Sequence, residues 1–144
     1  MKADAKTEAE VMSVINQFVE SFNKRDVDRC LSFFAPDPDL VFIGTGEDEK
    51  CIGLTELKAE IERAFNQSKQ SSIHLGWYLV SAAGSVAWVA ADATIKAQVS
   101  EKKLSFPVRF TIVLEQRGDK WLIVQSHGSM PAAGQKEGES WPTE

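Results

Sequence analysis

The sequence is poor in the residues that build metal, redox and disulfide sites. It holds two cysteines and two histidines in 144 residues, with no CxxC, HxH or HxxE spacing, so it offers no ligand set for a metal and no disulfide framework. Cys30 falls among apolar residues of an expected helix, where a free thiol behaves as a small hydrophobe, and Cys51 falls in a loop or at a strand edge. No stretch approaches the roughly 18 apolar residues of a membrane span, and the first residues lack the apolar region of a secretory signal. The expectation is a cytoplasmic protein without a membrane partner.

Positive charge is also short. Sixteen Lys and Arg stand against 21 Asp and Glu, for a net charge of -5 and a pI near 5.1. With no Lys/Arg run, the phosphate attraction that drives nonspecific nucleic-acid binding is missing. A phosphate loop, a nucleophile elbow and a dinucleotide fingerprint are missing too, so no cofactor is expected.

What is present reads as one globular domain. Hydrophobic residues make up 43% and charged residues 26%, an ordinary balance in a chain long enough to bury its own core. The domain is expected over residues 1–131. A small, polar tail follows at 132–144, expected to be mostly flexible, with Trp141 as an isolated aromatic able to dock on the body or on a partner.

Helical spacing dominates the first half. Thr7 precedes Glu10 as a helix start, and Val11, Val14, Ile15, Phe18, Val19 and Phe22 recur on one face. Asp26 is placed to cap a shorter segment from Val27 to Phe34, which Pro36 and Pro38 stop. Leu40–Ile43 reads as a short buried strand closed by Gly44-Thr45-Gly46, and Glu47, Asp48 and Glu49 as a solvated loop. Leu54, Leu57, Ile61, Ala64 and Phe65 mark a third helix, with Glu60 and Glu62 assigned outward. From Ile73 the period changes to two, giving strands at Ile73–Ser81, Val86–Val99, Phe106–Glu115 and Trp121–Ser129. Short turns at Gly84-Ser85 and Gly118-Asp119 make their neighbours antiparallel. The class is α+β.

Several strings in this order resemble a known family: Pro38–Gly46, Gly53, Val86–Val89, Arg109–Thr111 and Trp121–Pro131 are similar to the recurring pattern of the SnoaL-like group of the NTF2-like superfamily. The resemblance implies a cystatin/NTF2-like cone, with N-terminal helices packed on a curved antiparallel sheet around a pocket. It also implies a homodimer. It does not imply one activity, because this fold hosts isomerases, dehydratases, cyclases and assembly modules.

Alternation separates Arg109, Thr111 and Val113 from Phe106, Val108, Phe110, Ile112 and Leu114 on the two faces of one strand. The partly polar face is the expected pocket wall, where Arg109 would clamp an anionic group or else form a structural ion pair. The resemblance implies that His127 faces the same cavity. Strand register decides this: a plain two-residue turn at Gly118-Asp119 would align Arg109 with Ser126 and Gly128, whereas a bulge restores His127 and Ser129. Asp92, the one acid in its apolar strand, is expected opposite Thr111 and diagonal to Arg109, either as a partner of the arginine or as a base.

The candidate catalytic residues are therefore Asp92 and His127. The candidate ligand-binding residues are Arg109, Thr111, Ser129, Trp77, Trp88 and Phe18. Three functions follow from these residues: a pocket protein for a small, partly apolar, anionic ligand; an isomerase, dehydratase or cyclase working by proton transfer; or an assembly module. In each, the apolar Phe106–Leu114 row is the expected outer sheet face and the homodimer contact.

Overall fold

The computed structural model describes residues 1–144. Helix α1 spans Ala5–Asn23 and is capped by Asp4, whose carboxylate accepts the Thr7 N–H at 2.7 Å. The start thus lies before Thr7, because an aspartate three residues upstream already satisfies that amide. Asp26 caps α2, Val27–Leu31, by accepting from the Arg29 N–H. Strand β1, Val41–Ile43, and β2, Lys50–Ile52, flank the Gly44–Glu49 turn, and α3 follows at Gly53–Asn66. Four long strands complete the chain: β3 Gln70–Ala83, β4 Val86–Val99, β5 Lys102–Arg117 and β6 Lys120–Ser129. No helix is long and apolar enough to cross a membrane.

The sheet order is β2-β1-β6-β5-β4-β3. Every neighbouring pair is antiparallel except β1 and β6, which run parallel. The parallel start is prepared by residues 33–35, where the Ile123 N–H donates to Phe33 O and the Ala35 N–H to Ile123 O. Pro107 is tolerated within β5 because the β5–β6 ladder ends at Arg109, leaving no partner there for an amide.

The helices cover one sheet face. Val11, Met12 and Ile15 of α1, Leu57, Ile61 and Phe65 of α3, and Val80, Val89, Ile112, Leu114 and Ile123 of the sheet form one buried cluster. Burial of this set is the main source of stability. It corrects the sequence reading of β5: Val108, Ile112 and Leu114 are buried against the chain's own helices, not held outward for a second subunit. An apolar row is the surface on which amphipathic helices can bury their own stripe, so they settle there.

Register also departs from expectation at two places. The β4–β5 turn is tight, with Val99 opposite Lys102, so Asp92 pairs with Arg109 rather than Thr111. In β5–β6 the Arg117–Lys120 turn is tight too, but an irregularity between Val113 and Leu114 leaves Val124 as an extra residue. That bulge sets Thr111 opposite His127 and Arg109 opposite Ser129.

Candidate functional site

A cavity of about 380 Å³ opens between the helices and the covered sheet face, a size within the range of small-molecule sites. Phe18 and Phe22 of α1, with Phe106, Phe110 and Ile112 of β5, make much of its wall. The period-3.6 stripe of α1 and the period-2 row of β5 point these side chains at one another. The wall is closed by Phe34 and Phe42, whose rings meet edge to face with centroids 6.4 Å apart.

Polar groups on this wall are few. Ser126 of β6 is the most enclosed: the residue is only 6% exposed, it lines the cavity, and no side chain or backbone group hydrogen-bonds its hydroxyl. Its strand partners are Phe42 on one side and Ile112 on the other. The hydroxyl is not sealed off, so it is free to bond a polar atom of whatever occupies the cavity.

The α3 side of the cavity carries two carboxyls, Glu49 and Glu60, the only titratable side chains on the wall. Glu49 is folded back by the Gly44–Gly46 turn: its backbone O accepts from the Gly44 N–H at 2.8 Å and its carboxylate from the Gly46 N–H at 2.9 Å. A Cβ on Gly44 would collide with that carboxylate, so glycine leaves the space that the glutamate fills. Glu60 reaches the same place from α3, with its side chain 14% exposed and one oxygen 2.7 Å from Arg63 Nη2. Burial first, and the neighbouring Glu49 charge second, push the Glu60 carboxyl above its ordinary value, against the pull of Arg63. Arg63 is itself held by both oxygens of Asp48, at 2.7 and 3.2 Å.

These two glutamates were read from sequence as solvated, and the structure corrects that. The signal for Glu60 was its place three residues after Leu57 and beside Ile61 in a Leu57, Glu60, Ile61, Ala64 stripe, which is the buried helical spacing. The signal for Glu49 was weaker, a glycine-flanked turn returning a carboxylate toward a strand.

Of the sequence-predicted site residues, Phe18 alone lines the cavity. Asp92, Arg109, Thr111, His127, Ser129 and Trp88 share the opposite, uncovered face of the sheet. His127 does share a face with Arg109, as the resemblance implied, but that face lies outside the cavity. Asp92, Arg109, Thr111 and His127 are exposed, and the Arg109 guanidinium donates to Met130 O at 3.3 Å. Asp92 and Arg109 join His74 and Pro131 in a depression of about 460 Å³ on that outer surface, more open to solvent than the cavity under the helices. Trp77 sits at a β3 irregularity between Leu75 and Tyr78 and is 59% exposed. Trp141 is 79% exposed. For Asp92, Arg109, Thr111, His127, Ser129 and Trp88 the physical reason is common: the enclosed side of the sheet is the side the helices cover, and the helices cover the apolar side.

No cluster of three His, Cys, Asp or Glu side chains is arranged to hold a metal ion. Both cysteines are free and buried, and burial pushes the Cys30 thiol up to about 12.

Comparison with known proteins agrees with this architecture. No curated protein matches the sequence. An NTF2-like superfamily protein from Salmonella enterica superposes with a TM-score of 0.83 at 19% identity, covering 96% of this chain and 100% of that one. A provisionally assigned dehydratase of the NTF2-like family from Streptomyces avermitilis gives 0.82 at 17% identity, covering 91% and 100%. A protein of unknown function with a cystatin-like fold from Nostoc punctiforme gives 0.75 at 16% identity, covering 92% and 97%. The family model of the SnoaL-like domain matches residues 11–133, and with helices packed on a six-stranded sheet of this order the chain belongs to the SnoaL-like domain family.

Proposed function

We propose that this protein binds a small, largely apolar molecule in the cavity between α1, α3 and the covered sheet face. The observation that carries the reading is Ser126, a residue only 6% exposed in an apolar wall, whose hydroxyl has no partner in the protein and opens onto the cavity. A polar atom on a bound molecule would satisfy it, and the phenylalanine and isoleucine wall would bury the rest. No basic side chain lines the cavity, so the anionic ligand expected from Arg109 has no counter-charge there. Proton transfer between Asp92 and His127 has no enclosed space to act in.

Thermal melting against neutral aliphatic alcohols and ketones tests the reading, with Ala64→Phe as a variant that fills the cavity from α3. Concentration-dependent stabilisation of the wild type that disappears in a folded Ala64→Phe protein supports it. Equal shifts in both proteins would place binding elsewhere and overturn it.

The reading also carries a homodimer, now through the uncovered sheet face. Leu79, Trp88 and Val113 lie there without a helix over them, and apolar groups on an open face gain from a second copy. Equilibrium sedimentation that finds monomer at every concentration would remove this part.

A further inference from the structure

We propose that Glu49 and Glu60 form a recognition subsite for a protonated amine, so that the ligand of this cavity is an amphiphilic amine with its apolar body against the phenylalanine wall. The inference rests on the reading of the cavity as a ligand site and specifies the chemistry of what enters it.

Charge balance around the pair is the first argument. Asp48, Glu49 and Glu60 stand against a single guanidinium, Arg63, and Asp48 already takes that guanidinium by two of its nitrogens. Glu49 and Glu60 approach the same Arg63 nitrogen, Nη2, at 3.8 and 2.7 Å, so with Asp48 three carboxylates share one positive charge. Carboxylates crowded round one guanidinium in partly desolvated surroundings disfavour each other's charge, so a second cation is favoured beside them. Other groups near the pair add no positive charge: Cys51 lies on β2 and Glu56 on α3, and no strand places a basic side chain on the cavity wall.

Construction of the site is the second argument. Glu49 is aimed by a turn in which glycine at position 44 leaves room for its carboxylate, and Glu60 occupies a stripe position on α3 that faces the sheet. Neither is a loose surface acid. Independently of the pair, Ser126, 6% exposed as a residue, lines the same cavity with an unpartnered hydroxyl open to a ligand polar atom. A metal ion is a poorer fit than an ammonium group, because no third ligand joins the two carboxyls. An ammonium donates up to three hydrogen bonds, enough to bond both glutamates at once.

Protons compete with the amine for this site: an ammonium between the carboxyls favours their charged forms, and any proton it displaces passes to the buffer while the amine keeps its own charge. A neutral alcohol of the same length displaces no proton.

Isothermal titration of the full-length protein with octylamine, octanol and octanoate separates the outcomes. The expected order is octylamine tighter than octanol by about tenfold or more, as charge-assisted hydrogen bonds outweigh neutral ones, with octanoate weakest. Octylamine binding, and not octanol binding, weakens as pH falls through the carboxyl range, because protons then compete with the amine for the two glutamates. In the isosteric Glu49→Gln, Glu60→Gln double variant the amine preference disappears while octanol affinity stays. The single Glu49→Gln variant, expected to keep part of the preference, stands in if the double variant does not fold. Octanol binding with no preference for octylamine overturns the amine subsite and leaves the pocket reading intact. Failure of octanol and octylamine alike overturns both.

Discussion

Asn23 and Ile73 exchange two hydrogen bonds: the Asn23 side-chain amide donates to Ile73 O at 3.1 Å, and the Ile73 N–H donates to Asn23 Oδ1 at 2.7 Å. One side chain at the end of α1 thus behaves like a residue of a missing neighbouring strand on the free edge of β3. Residues 1–3 do the same further along, through Ala3 N–H to Val80 O and Ala82 N–H to Met1 O. An edge strand left open is a template for pairing with another chain, and here it is closed by the chain's own N-terminal residues and helix end.

Replacing Asn23 with alanine removes both bonds and exposes the β3 edge. Chemical denaturation should show a loss of about 1–2 kcal/mol, with faster amide exchange at Ile73. Unchanged exchange there would mean that the edge is protected by something else.

Ser126→Ala is expected to leave stability within about 1 kcal/mol of wild type, because the hydroxyl has no partner to lose. The same change should weaken binding of a neutral alcohol by roughly threefold to tenfold. A large loss of stability with unaltered binding would contradict the place given to this hydroxyl.

The Glu60 carboxyl, raised above its ordinary 4.5 by burial and by Glu49, makes stability depend on pH in a definite direction. A carboxyl with a raised folded value contributes most at and below its unfolded value, and that contribution fades as pH rises through the folded one. Wild type should therefore lose stability relative to Glu60→Gln as pH rises from about 4.5 toward neutral. Asp4, Glu20, Asp37 and Asp48 are held low by their partners and work in the opposite direction. They are present in both proteins, so the difference between the two curves isolates Glu60. A flat difference would show that Glu60 is not perturbed.

Cys30 is fully buried with its thiol raised to about 12, and Cys51 is also raised, by burial before the charge of Glu60. Neither should react with a disulfide reagent at mildly alkaline pH until the fold opens, since the thiolate is the reactive form. The labelling rate should then follow the unfolding equilibrium across a denaturant series. Rapid labelling in native buffer would show that the thiols are accessible.

Much of the fold was legible because periodicity is a local property. Val86–Val99 has the same limits in sequence and structure, and the helical stripe of α1 and the Asp26 cap appear where their residue types place them. Strand β2 was missed because Lys50–Ile52 is too short to show a period and takes its structure from pairing with β1. The Val124 bulge could be named only as one of several registers, since hydrogen bonding across the sheet selects among them.

Membership of faces was determined by the sequence: Arg109 with Thr111, and Phe110 with Ile112, follow from alternation alone. Which face became the inside was a tertiary decision. Polar residues suggested a pocket beside Arg109, yet α1 and α3 must bury their own apolar stripes, and the apolar β5 row is the surface that repays it. Helix docking on that side enclosed Ser126, Glu49 and Glu60 in the cavity and left Asp92, Arg109 and His127 in solvent, because burial of apolar area outweighs any preference a few polar groups express.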